Sequence, residues 1–463
     1  MKNSITYASI VFAAVLSAGS LQAQQQPKAF GKALRTSPAT GLVRCAATEY
    51  EQFLQAKNTD RQTEAQFEQW LAPKVAARKA KRTATTNTTN GTQDVITIPV
   101  VVHVIHNGDA LGANENITDE QVLSQITVLN QDYRRVTGSR GYNEATVGAD
   151  VGIEFCMAQT DPDGNITTGI DRVNLGQDSW GEDDVEETLK PQTIWDPTQY
   201  YNIWVCNFGG DLKGVLGYAQ FPSNSTLSGL SGGSADTDGV IIGYQYFGSK
   251  DIYPKGNYDS QGIYIYGRTA THETGHYLGL RHVDGDNTSC TVNSTDSRKD
   301  YCPDTPAITE LHYYCTTEDS CPLDEGDDMI ENYMDYTPDS CMNIFTQDQK
   351  DRIVTVMQNA TRRKTLTTST VCQARVAATQ EVQLLNGLTL YPNPTQSVIN
   401  IALSNSDLPD SYTIINSLGQ VITKTKVTTN ANLSITTAAY SNGVYFIKID
   451  KGNESKTLKF IKN

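Results

Sequence analysis

Half of the six histidines in this 463-residue chain fall in one stretch, Thr271-His272-Glu273-Thr274-Gly275-His276-Tyr277-Leu278-Gly279-Leu280-Arg281-His282. On a helix, His272 and His276 stand one turn apart on one face, about 6 Å along the axis, a spacing that lets two imidazoles share a zinc ion. Gly279 lets the chain leave the helix sharply, so that His282 returns as the third ligand. Three neutral imidazoles leave the fourth tetrahedral position open to water. Glu273, beside the first ligand, faces that water as general base, taking a proton during attack on a carbonyl carbon and passing it to the leaving nitrogen. A structural zinc site needs no such base and usually has four protein ligands, so the pattern points to amide hydrolysis. His103, His106 and His312 lack ligand spacing and read as surface or core residues.

The pattern HExxHxxGxxH resembles the metzincin signature. Asn332-Tyr333-Met334-Asp335-Tyr336 resembles the tight methionine turn of that group. The resemblance makes Met334 a soft floor beneath the metal and Tyr336 a hydroxyl donor to the oxyanion. Within metzincins, Ile96 to Ala360 resembles the pappalysin family through Ile203-Trp204-Val205-Cys206, Leu216-Gly217-Tyr218-Ala219, Asp304-Thr305-Pro306 and Asp339-Ser340-Cys341. It implies an α+β catalytic domain, with a twisted sheet and long helices above the cleft and a loop-rich lower subdomain. A substrate would lie extended along the edge strand. Asp339 would form the base of an S1' pocket that selects Arg or Lys, although a lone Asp after Pro338 otherwise reads as a turn residue. Asp304 and Thr305 would bind a structural calcium ion.

Elements must position these residues, and the sequence between 95 and 382 supplies them. Ile96 to Ile105 is a dense β-branched run, with further strands expected over Gly152 to Met157, Tyr201 to Phe208 and Gly239 to Tyr244. The spacing of Val122, Ile126, Leu129 and Tyr133 predicts a helix over Thr118 to Val136, with Thr118 at its cap. A second helix is expected over Ile344 to Ala360. Nine cysteines in an exported chain point to disulfides with at least one thiol left over. Five cluster at Cys290, Cys302, Cys315, Cys321 and Cys341, in a segment expected to be loop-rich and held by two bridges of unassigned pairing.

Residues 1–23 have the layout of an export signal: Lys2, an apolar run Ile5 to Ala18, and Ala23 before Gln24-Gln25-Gln26, with cleavage after Ala23. No other apolar run is long enough to span a bilayer. Residues 24–94 read as a propeptide. Ala47 to Leu71 is helix-compatible, whereas Lys74 to Gly91 reads as an exposed linker open to proteolysis, at Ala77-Arg78 or Lys81-Arg82. Cys45, the leader's only cysteine, could occupy the metal's open position as a thiolate and silence the enzyme, as in the family's cysteine switch. The acidic surplus behind the formal charge of -15 falls in residues 95–380, while the leader is basic. The two should attract, and the acidic body argues against nucleic acid as a partner.

Residues 383–463 alternate as short strands: Leu388 to Tyr391, Val398 to Leu403, Tyr412 to Ile415, Val421 to Lys426, Leu433 to Thr436, Val444 to Ile449 and Thr457 to Ile461. Seven such strands predict a small all-β sandwich. Leu390-Tyr391-Pro392-Asn393-Pro394, Asn416-Ser417-Leu418-Gly419-Gln420, Gly443-Val444-Tyr445-Phe446 and Lys459-Phe460-Ile461-Lys462 resemble the C-terminal sorting domain of the type IX secretion system. The implied partners are protein or peptide substrates, the chain's own propeptide and the secretion machinery. The implied destination is the medium or the cell surface.

Overall fold

The computed structural model describes residues 26–85, 95–223, 234–290, 300–373, 387–403, 408–452 and 454–463, so the expected export signal and the end of the expected linker lie outside the described residues. The chain divides into two units, Met1–Ala374 and Arg375–Asn463.

The leader belongs to the first unit. It forms a hairpin of β1 (Lys28–Ala29) and β2 (Lys32–Ala33), then α1 (Ala47–Lys57) and α2 (Glu64–Thr85). The expected open linker is thus corrected: from Lys74 to Thr85 the chain is helical, and both candidate activation bonds lie inside α2. Two causes act together. The stretch is rich in Ala, Lys and Arg, which are strong helix formers. One face also docks, since Phe67 and Leu71 join Val356 and Ala360 in a small core while Arg78 and Lys79 pair with Asp351 and Asp348 at 3.1 and 2.9 Å.

After the leader come β3 (Ile96–His106), α3 (Asp119–Tyr133), β4 (Ile153–Met157), β5 (Ile170–Asn174), and a helical stretch made of α4 (Glu182–Asp184), a π-helical turn (Val185–Leu189) and α5 (Lys190–Thr193). Then follow β6 (Tyr201–Cys206), β7 (Gly217–Ala219), β8 (Gly239–Gly243), α6 (Arg268–Tyr277), α7 (Gln347–Asn359) and α8 (Thr361–Leu366). The sheet order is β4-β3-β6-β8-β7, with β5 beside the far end of β3. Its neighbours run parallel except β7, which lies antiparallel to β8 at the edge. Central parallel strands are covered on both faces, which is why β3 is buried continuously from Ile98 to Ile105 rather than alternating. β5 and β7 are too short or too polar to have announced themselves as strands.

Thr118 caps α3 by accepting from the Gln121 amide at 3.3 Å, and Thr346 with Gln349 forms a capping box on α7. α6 packs against α3 and against β7 and β8, which sets its face towards the sheet's edge. Disulfides Cys290–Cys321 and Cys315–Cys341 tie the loop-rich region, as the cluster required, and Cys156–Cys372 adds a third bridge. Three cysteines, Cys45, Cys206 and Cys302, are buried free thiols.

Among its described residues the second unit has seven strands, β9 (Thr389–Tyr391), β10 (Val398–Ala402), β11 (Ser411–Asn416), β12 (Val421–Lys426), β13 (Ser434–Thr436), β14 (Gly443–Lys451) and β15 (Glu454–Lys462). They form two antiparallel sheets, β13-β10-β9 and β12-β11-β14-β15, around one core that includes Ile399, Ile414, Ile447 and Phe460. This is the expected small sandwich. Among the described residues no helix is long and apolar enough to cross a membrane.

Candidate active site and metal centre

α6 carries His272, Glu273 and His276, all fully buried. Gly279 then takes a φ of +94°, and a Cβ there would lie 2.8 Å from Val356, so glycine is required twice over for the turn that returns His282. The His276 Nε2 lies 3.1 Å from that of His272 and 3.0 Å from that of His282. Each ring's other nitrogen faces an acceptor: His272 Nδ1 meets the Tyr333 carbonyl at 2.7 Å, His276 Nδ1 the Leu280 carbonyl at 2.9 Å, and His282 Nδ1 the Asp286 carboxylate at 2.8 Å. Those partners place the proton on Nδ1 and leave three Nε2 lone pairs converging. Such convergence is repulsive unless a cation sits between, so the residues fit a tetrahedral zinc ion.

Cys45 supplies the fourth donor, its Sγ gathered with the three histidines in one group. Burial and the neighbouring Glu273 push its thiol well up, and only a cation among the imidazoles would reverse this to give a thiolate. Burial likewise pushes the Glu273 carboxyl up to about 8. Its Oε2 faces the Cys45 sulfur at 3.5 Å, and its Oε1 is buried without a hydrogen-bond partner among the described residues. Met334 lies directly under α6, close enough that a Cβ on Gly275 would meet its sulfur at 2.4 Å. The Tyr336 hydroxyl points into the same space and donates to the Cys45 carbonyl at 3.5 Å.

Asp339 is fully buried and already paired with the leader. Arg44 Nη1 donates to Asp339 Oδ1 at 2.9 Å with both side chains fully buried, to Thr269 Oγ1 at 3.0 Å, and the guanidinium lies 4.7 Å from the Tyr264 ring centroid. The other carboxylate oxygen accepts from the amides of Tyr266 and Arg268, at 2.9 and 3.2 Å. Asp339 therefore also caps the start of α6. Residues 43–46 lie along the sheet's edge, with Val43 bridged in parallel to Val215 and the Ala46 amide donating to the Gly217 carbonyl at 3.2 Å. Arg44 was not singled out from sequence; the signal was its place beside the leader's only cysteine.

The calcium expectation fares differently. Thr305 Oγ1 is spent on Asp300 and the Cys302 carbonyl at 2.7 and 2.6 Å, and Asp304 accepts from the Asp348 amide at 2.8 Å at the start of α7. A calcium cage needs six to eight oxygens aimed at one point. The other oxygen of Asp304 is buried without a partner among the described residues, where the two residues join no group of three or more converging His, Cys, Asp or Glu ligands.

Of the remaining histidines, His103 is buried between Asp171 and Asn202, at 2.8 and 2.9 Å. His312 has more to do than a core residue. It sits between Asp335 at 2.8 Å and Asp328 at 3.0 Å, and Asp335 in turn accepts the Tyr336 amide at 2.7 Å. Burial opposes a charged ring there, but Asp335, Asp328 and Glu318 outweigh it and hold His312 up at about 9.

Residues 184–358 match the family model described as pregnancy-associated plasma protein-A, and residues 389–463 match that of a secretion-system C-terminal sorting domain. An extracellular metalloprotease of Verticillium alfalfae is 32% identical over 284 residues, 60% of this chain and 81% of that one. One from Pyricularia oryzae is 30% identical over 269 residues, 57% and 77% of the two chains. The solved structure of Tannerella forsythia mature mirolysin in complex with a cleaved peptide superposes with a TM-score of 0.50 and 36% identity, covering 60% of this chain and 97% of that one. With the converging histidines on α6 and the turn at Met334 beneath them, these likenesses make the chain a member of the pappalysin family of metzincin metalloproteases, ending in a type IX sorting domain.

Proposed function

We propose that this secreted metalloendopeptidase hydrolyses protein substrates before Arg or Lys, and that its leader keeps it latent until proteolysis removes it. The observation that carries the reading is the seating of Arg44 and Cys45: a basic side chain fills the Asp339 pocket while a thiol, rather than a scissile carbonyl, faces the histidines. The leader offers the specificity group without the bond to be cut.

A zinc ion held by His272, His276 and His282 would polarise the scissile carbonyl and acidify a water molecule. Glu273, buried and with one oxygen unpartnered, takes the proton from the attacking water and returns it to the leaving nitrogen. Tyr336 donates its hydroxyl to the carbonyl oxygen as negative charge develops. Met334 supports the histidines from below. The edge strand β7 pairs with an extended substrate backbone, as it does with residues 43–46. Calcium at Asp304 and Thr305 rests on the family resemblance: Asp304 keeps one buried oxygen without a partner among the described residues, while Thr305 Oγ1 is bonded to Asp300.

Cutting at Ala77-Arg78 or Lys81-Arg82 requires α2 to unwind first, since a protease binds an extended chain. Peptide-library cleavage tests the specificity: Asp339→Asn keeps acceptors for the α6 amides but removes the charge, and the preference for Arg and Lys at P1' should disappear. An unchanged preference removes the Asp339 assignment. Glu273→Ala should leave purified precursor uncut, and continued clean processing by that variant counts against autocatalysis.

A further inference from the structure

Behind β7, on the face away from the histidines, the leader makes a contact that the zinc site does not explain. Strand side chains alternate, so while Gly217 backs onto Glu273, its neighbour Tyr218 points the other way. There the hydroxyl of Tyr218 donates to Glu186 Oε1 at 2.7 Å and the Lys190 ammonium reaches the same oxygen at 2.5 Å. Tyr50 of α1 inserts between them. Its hydroxyl donates to Glu186 Oε2, its ring lies 4.9 Å from that of Tyr218 and 5.1 Å from that of Phe30, and Lys190 Nζ sits 4.6 Å from its centroid. Tyr50, Tyr218 and Lys190 are fully buried and Glu186 nearly so.

Lys190 neutralises Glu186 one turn away, and the π-helical turn Val185–Leu189 carries the carboxylate into the pocket. A buried ion pair contributes little net stability compared with apolar packing. Here it leaves one carboxylate oxygen whose donor, among the described residues, comes from the leader. Aromatic walls, a cation against the ring face and an acceptor at the bottom make a receptor for a phenol.

We propose that Glu186, Lys190 and Tyr218 form a tyrosine-binding site, filled by Tyr50 in the precursor, which holds the leader in place in parallel with Cys45. The proposal rests on the latency reading above and adds a second lock to it. The full-length precursor tests it, through initial rates on a short basic peptide before any processing is visible. Cys45→Ser alone should stay well below the processed enzyme. Adding Tyr50→Phe should raise the rate about tenfold, the effect of losing one hydrogen bond to a charged acceptor. Glu186→Gln on the Cys45→Ser background should give the same rise, with Tyr50→Phe then adding nothing. If Glu186→Gln lowers the melting temperature enough to blur the comparison, Tyr50→Leu in the leader replaces it; it also removes the ring and should raise the rate at least as far as Tyr50→Phe. A Cys45→Ser precursor as fast as the processed enzyme, or one whose rate ignores Tyr50→Phe, overturns the second lock. A wild-type precursor that is already fully active overturns the latency reading itself.

Discussion

Above the cleft, His272, Glu273 and His276 ride on a 10-residue helix whose backbone bonds and neighbours fix each of them. Below it, Met334, Tyr336 and Asp339 sit on chain between Asp300 and Ile344 that has no helix or strand longer than an isolated bridge. The upper half gains precision from periodic hydrogen bonding and a shared apolar core. The lower half relies on cross-links: Cys290–Cys321, Cys315–Cys341 and the ionic chain Asp328–His312–Asp335, which ends on the Tyr336 amide. The difference teaches that one active site can answer to two chemistries, and that its lower half, with two of the three disulfides and His312 held at about 9, should depend more heavily on redox conditions and on alkaline pH.

The largest expected effect falls where the upper helix ends. Gly279→Ala forces an L-residue into the left-handed region and drives a methyl against Val356; together these cost about 3 to 4 kcal/mol. Denaturant melts should show the loss, and metal analysis should show depleted zinc because His282 is displaced. Next, replacing Cys315 and Cys341 with Ser should cost about 3 kcal/mol, given a sequence separation of 26 residues, and lower activity while far-ultraviolet dichroism stays close to native. Equal loss of helical signal would break the division into halves. His312→Gln should cost about 2 kcal/mol at neutral pH, since it removes a charge-assisted hydrogen bond to buried Asp335 and an ion pair with buried Asp328. The sign of its pH dependence is fixed. His312 titrates higher folded, at about 9, than unfolded, so its contribution is complete below about pH 6.5 and disappears as pH rises through 9. The variant should lack that alkaline slope in melting temperature. The smallest effect belongs to the upper half: Thr118→Ala should cost about 1 kcal/mol through the lost α3 cap and leave kcat unchanged.

The same division explains what could be read in advance. The histidine helix was legible because its ligands follow the helical period and its glycine marks the exit. The seven tail strands were legible because short alternating runs are bounded by turns. Met334, Tyr336 and Asp339 could be named only by resemblance, since nothing in an irregular segment encodes which distant groups it meets. Arg44, the helical continuation of α2 and the service of His312 to the methionine turn were missed for one shared reason. Each is a charged residue or charged stretch whose partner lies far away in sequence, at Asp339, at Asp348 and Asp351, and at Asp335. Local patterns report periodicity well and long-range charge pairing hardly at all.

Because one oxygen of Asp339 stays tethered to the Tyr266 and Arg268 amides whatever lies on the other, the receptacle below the histidines keeps its shape when vacated. On the proposed specificity, an incoming guanidinium would meet an acceptor already aimed and already stripped of rotational freedom, so little of its affinity would be lost to rearrangement. On that reading, removal of the leader would exchange one cationic tenant for another.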